Sequence, residues 1–249
     1  MKRTIITYLV LFISLNILAQ NGQKIKRKFR SPVWTYHTQN TDILGLSVGL
    51  IPGSISETKG TTKTFGTRLE IDPISVLYFL FGDHTDVSTS FEDYNRIMQN
   101  NVSQISYGIN ISTGNYEHID NYGISITALV QNTRKNYGIS IAGWSNQIEK
   151  SNGIIVGIGN TVFISNGISI GLSGANAVIA NGIQIGGMVN EVNFLRGLQI
   201  GFSNQIFENG QGLQIGVFNK SKNFKGIQLG LWNTNDKRSL PILNWNFKS

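Results

Sequence analysis

From residue 108 onward the apolar positions keep a fixed rhythm. A glycine is followed by Ile or Leu, then by a residue that is usually polar, then by Ile, Val or Leu. The phrase opens at Gly108, Gly123, Gly138, Gly153, Gly167, Gly182, Gly197, Gly212 and Gly226, always fourteen or fifteen residues apart. The middle position is Asn, Ser or Ile in the early units and settles to glutamine at Gln184, Gln199, Gln214 and Gln228. Apolar residues two apart make a period-two pattern, which belongs to a strand with one face on a core. The β-branched Ile at both positions suits a pleated surface, and the three- and four-residue spacing of a helix is missing. The isoleucines are therefore expected to be core and the glutamines to form a shared outer face. A weaker apolar position later in the unit, at Ile148, Val162, Val192, Ile206 and Phe224, allows a second short strand.

Two architectures use such units. A β-solenoid stacks one unit per coil, about 4.8 Å apart, so that like residues lie on like residues. An outer-membrane barrel uses one unit per strand and turn, with antiparallel neighbours. The even spacing and the identical Ile, Gln and Asn positions favour stacking, because alternating strands give no reason for every unit to be alike. The expected fold is all-β: a β-solenoid or β-roll of 14–15-residue coils with N- and C-terminal caps. The alternative is a 12–14-stranded outer-membrane-type β-barrel, with Tyr107, Tyr122, Tyr137, Trp144 and Trp232 as its aromatic girdles.

The rest of the chain divides around this array, which is assigned to residues 102–239. Residues 40–101 hold degenerate units (Gly45–Leu50 and Gly66–Ile71), a loop at Pro52-Gly53-Ser54, an apolar run from Pro73 to Phe81, and an insertion. Within the insertion, residues 91–98 have a helical character that Ser90 is placed to cap. Residues 240–249 are expected to cap the last coil, Pro241, Trp245 and Phe247 covering its open edge.

The first residues change the picture most. Met1-Lys2-Arg3, the apolar stretch from Ile5 to Leu18, and Ala19 before a polar run have the order of a secretory signal peptide over 1–19. No cysteine is present to carry a lipid anchor or a disulfide, so stability must come from a regular core or a membrane. The net charge of +7 gathers partly in Lys24, Lys26, Arg27, Lys28 and Arg30. In an exported chain with no aromatic platform beyond Phe29, this cluster reads as a solvated basic tether over 20–39, and nucleic acid is not an expected partner.

Candidate chemistry is sparse. His37, His84 and His118 have no ligand spacing, and Asp83-His84-Thr85-Asp86 is a weak metal motif that lacks further ligands. Phosphate loops, nucleophile elbows and calcium-binding rolls all fail on their required residues. Ser125, Ser140 and Ser169 recur at one strand position, as ladder residues do. Neither an enzyme activity nor a cofactor is expected. The candidate binding face is the ladder Gln184, Gln199, Gln214 and Gln228, open to a glycan or an extended peptide, with stabilisation of the sheet as its other role.

The tandem Gly-[Ile/Leu]-Gln-[Ile/Leu]-Gly units, Trp34-Thr35-Tyr36-His37, and the ending Arg238-Ser239-Leu240-Pro241-Ile242-Leu243-Asn244-Trp245-Asn246-Phe247 resemble an uncharacterised family of bacterial surface-repeat proteins. The resemblance implies export and surface association and no activity. The coil length is also similar to that of the short β-rolls in trimeric adhesin heads, though the stalk and anchor of those proteins are missing. The expected function is an exported, non-enzymatic, structural or adhesive module in the periplasm, the outer membrane or at the cell surface, with membrane association allowed. The alternative is a small barrel acting as a pore or receptor.

Overall fold

The computed structural model describes residues 27–50, 60–73, 75 and 87–247. The expected signal peptide, Lys24, Lys26, the Pro52 loop, most of the Pro73–Phe81 run and the Asp83–Asp86 motif lie outside the described residues.

The chain winds as a β-solenoid. Strands β1 (Lys28–Arg30), β2 (Val33–Thr35), β3 (Thr41–Leu50), β4 (Thr62–Ile71), β5 (Gln104–Ser112), β6 (Asn115–Thr127) and β7 (Val130–Ala142) lead into β8 (Ser145–Ser221), a continuous ladder that runs through several coils. They are followed by β9 (Phe224–Thr234) and β10 (Ser239–Asn246). Every pairing from β1 to β9 is parallel and joins equivalent positions, with Gly45 beside Gly66, Gly66 beside Gly108, Gly108 beside Gly123 and Gly212 beside Gly226. Parallel stacking of successive coils excludes the antiparallel barrel and, with it, a barrel pore.

The opening glycines are required twice over. Gly197 has φ +147°, a conformation that side chains resist, and a Cβ there would lie 1.9 Å from the Gly182 carbonyl oxygen. Eleven glycines with positive φ, from Gly45 to Gly226, mark eleven stacked coils among the described residues. The units at Gly45 and Gly66 are thus full members of the stack.

The assignment of faces is the reverse of the expectation. The aliphatic pair of each unit points outward: Ile109, Ile111, Ile124, Ile126 and Ile141 are each about two-fifths exposed. The residue between them points inward. Asn110, Ser125, Ser140, Ile155, Ser169 and all four glutamines are buried. The apolar core comes from the other side of the coil, at the weaker position. Ile148, Val162, Val192, Ile206 and Phe224 are at most 2% exposed, in two clusters bridged by Ala177. Ile155 is the one aliphatic residue on the inward strand row, and it joins Ile148 and Val162.

Both ends are closed. Residues 27–39 are not a solvated tether, since β1 and β2 each pair in parallel with β3. Tyr36 sits inside the first coil at 1% exposure, in space that a Cβ on Gly49 would fill at 2.1 Å from its ring. At the other end β10 runs antiparallel to β9, and its register shifts between Leu240 and Ile242, around Pro241. The strand itself covers the last coil. Trp245 and Phe247 point outward, 45% and 68% exposed, and do not cover the edge as expected.

The insertion contains α1 (Phe91–Gln99), capped by Ser90, whose hydroxyl accepts from the Asp93 amide. It lies over the stack: Phe91 meets the buried Phe163 edge-on at 5.2 Å, and Tyr94 stacks on the same ring at 4.7 Å.

Candidate functional site

The glutamines proposed as a binding face form one interior column. Gln199 Nε2 donates to Gln184 Oε1 at 2.9 Å, Gln214 to Gln199 at 2.8 Å, and Gln228 to Gln214 at 2.8 Å. Asn244 of the cap then donates to Gln228 Oε1 at 3.1 Å and ends the column. None of the four is more than 1% exposed, so no glycan or peptide reaches them in the folded chain. Their arrangement does the stabilising work: each amide, taken out of water, is paired with its counterpart one coil away.

A second column uses the asparagines that close the units. Asn146 donates to Asn160, Asn190 to Asn204, Asn204 to Asn219 and Asn219 to Asn233, at 2.7–2.8 Å. The same amides also donate to backbone carbonyls such as those of Val156, Ile200, Ile215 and Leu229. Ala175 interrupts this column. The recurrent serines belong to the interior as well: Ser125 Oγ accepts from Asn110, Ser140 Oγ donates to Asn146, and Ser169 Oγ accepts from Asn160.

Among the described residues charge is buried only in the early coils and beneath the insertion. Arg68 Nη1 donates to Glu70 at 2.8 Å and to Asn110 at 2.8 Å, and its guanidinium lies 4.6 Å over the Tyr36 ring. The Tyr36 hydroxyl donates to Glu70 at 3.1 Å, and burial, followed by the nearby Glu70 charge, holds it protonated well above the usual tyrosine range. Arg134 binds Asp120 through two nitrogens at 2.8 and 2.6 Å and reaches the Asn100 carbonyl at the end of α1. Glu149 accepts from the Ser88 amide at 2.9 Å. Burial pushes its carboxyl up, the Ser88 bonds pull it down, and Asp93 adds a smaller upward push. These groups tie the cap and the insertion to the stack. The His37 ring lies tilted against that of Tyr36 at 4.6 Å, and His118 lies on β6, the strand that carries Gly123, apart from the Gln column. No three His, Cys, Asp or Glu residues gather into a metal-binding group among the described residues.

What the molecule presents is the outside of its strands. Two aliphatic rows run from coil to coil, with a third outward row carrying Leu50, Ile71, Leu172, Phe202 and Leu231, each more than half exposed. Near the C-terminal end these rows border an open, shallow apolar groove of about 760 Å³, lined in part by Gly201, Gly216, Gly230 and Ile242. Beside the early coils Phe65, Tyr107, Tyr122 and Tyr137 stack ring on ring at 4.9–5.1 Å. The recurrence of Tyr immediately before three consecutive opening glycines was the signal for that ladder. The aliphatic face was missed because apolar repetition was equated with burial.

No family model matches the chain, and no curated protein or solved structure shows similarity to it. No helix among the described residues is long and apolar enough to cross a membrane.

Proposed function

We propose that the protein is an exported, non-enzymatic β-solenoid rod that serves as a structural or adhesive module at the cell surface. The observation that carries this reading is the uniformity of the outer strand face, which repeats one chemistry along the whole stack. A surface of that kind favours extended contact over the capture of a small molecule. The order of charges and apolar residues over 1–19 supports export, and the likeness to surface-repeat proteins agrees with it. The glutamines are enclosed, so an extended partner would not meet them.

Cell fractionation with N-terminal sequencing, followed by protease treatment of intact cells, tests the proposal. The expected result is a mature chain starting near residue 20, recovered from the envelope or surface and accessible to protease. A full-length chain confined to the cytoplasm overturns it.

A further inference from the structure

The outward rows at one, three and five residues after each opening glycine make a strip that is apolar without interruption by charge. Across eleven coils these rows comprise thirty-three positions, and none is Asp, Glu, Lys or Arg. In a chain that is 14% charged, several charges would fall there by composition alone. None of the thirty-three is buried. At about 4.8 Å per coil and about 3.3 Å per residue the strip is about 48 Å long and about 13 Å wide, about 600 Å² in projection. That is the upper limit of the apolar patches that ordinary monomers leave open.

We propose that this strip is the interface of a two-fold symmetric homodimer, with the outer faces of two solenoids packed against each other. Three features select a second copy as the occupant. In full overlap two such strips bury about 1,200 Å², the lower end of the range of specific protein interfaces. The strip repeats at the coil spacing, and a second copy matches it in length, width and spacing. Sheets that pack face to face with apolar inner rows are a stable arrangement in their own right. A lipid surface supplies apolar area but no pitch. The inference is independent of where the protein resides.

The symmetry makes a sharp test available. Gly153 opens the sixth of the eleven coils, and Val156 lies on the middle row of that coil, at the centre of the strip. A two-fold axis in the interface through that point sets Val156 of one copy against Val156 of the other. Sedimentation of the full chain should give a dimer at micromolar concentration. Val156→Lys and Val156→Glu should each weaken it at least about thirtyfold, with the far-ultraviolet circular dichroism spectrum unchanged, because the side chain points outward. Mixing the two variants should restore the dimer, since opposite charges then meet at the axis. If Val156→Lys perturbs folding, Ile141→Lys, one coil away on the same row, reads the same contact. A wild-type chain that stays monomeric overturns the proposal, as does a dimer indifferent to both substitutions. So does a monomer that floats with neutral phosphatidylcholine vesicles and loses them on Val156→Lys, which would assign the face to lipid.

Discussion

The early coils, from Gly45 to Gly138, and the late coils, from Gly153 to Gly226, share one backbone path and fill it with different chemistry. The early interior holds the pairs Arg68–Glu70 and Arg134–Asp120, a plugging Tyr36 and many short hydroxyl side chains. The late interior holds columns of Gln and Asn beside an aliphatic core. The difference explains why the repeat is clean in one half and blurred in the other. An amide carries both a donor and an acceptor, so within a column of identical amides each bonds its like, which selects for identity. An ion pair needs two unlike residues, so each coil that contains one must depart from its neighbours. The glycine position survives in both halves because its constraint comes from the backbone, which both share.

The largest effect should come from the early half. Arg68→Ala strands Glu70 without its cation and should cost about 3–5 kcal/mol in chemical denaturation, whereas replacing Arg68 by Met and Glu70 by Leu together should recover most of it. If the single variant costs as little as a surface substitution, the early interior is not organised by this pair. In the late half, Ile206→Ala removes a residue buried in the aliphatic cluster and should cost about 2–5 kcal/mol, with no rescue by a neighbouring change. A smaller loss, about 1–3 kcal/mol, is expected for Gln199→Ala, which leaves an acceptor on Gln184 and a donor on Gln214 without partners. An unchanged melting curve for that variant would remove the amide column from the account of the late coils. The smallest effect concerns Glu149. Its carboxyl titrates above the ordinary carboxylate range in the folded chain, so the folded state holds the proton more tightly and stability falls as pH rises from the unfolded value through the folded one. Glu149→Gln keeps an acceptor for the Ser88 amide without the buried charge. It should melt slightly above the wild type at neutral pH, and the gap should close on acidification. A gap that widens toward acid would reverse the assignment.

The coil length, the stacking of like on like and the capping of α1 by Ser90 were readable from residue spacing alone. The sequence pattern around Gly45 and Gly66 also marked two early coils, although the wider, unequal spacing from Gly45 to Gly66 and from Gly66 to Gly108 hides the period there. The fate of residues 27–39 was not readable, because a cap built on a parallel pairing of three-residue strands with β3 leaves no local pattern. Nor was the position of Tyr36, whose partners Glu70 and Gln104 lie 34 and 68 residues away.

By itself the amino-acid order determined that this chain repeats, that the repeat is a strand and a turn, and that like residues stack. Those properties follow from the spacing of glycines and β-branched residues, which act over a few positions. Only the tertiary structure decided which side of the strand is inside. A period-two pattern separates two faces without naming either one, and the closure of the coil makes that choice. Here it turned inward the side whose amides bond to their own copies, and left the isoleucines outside.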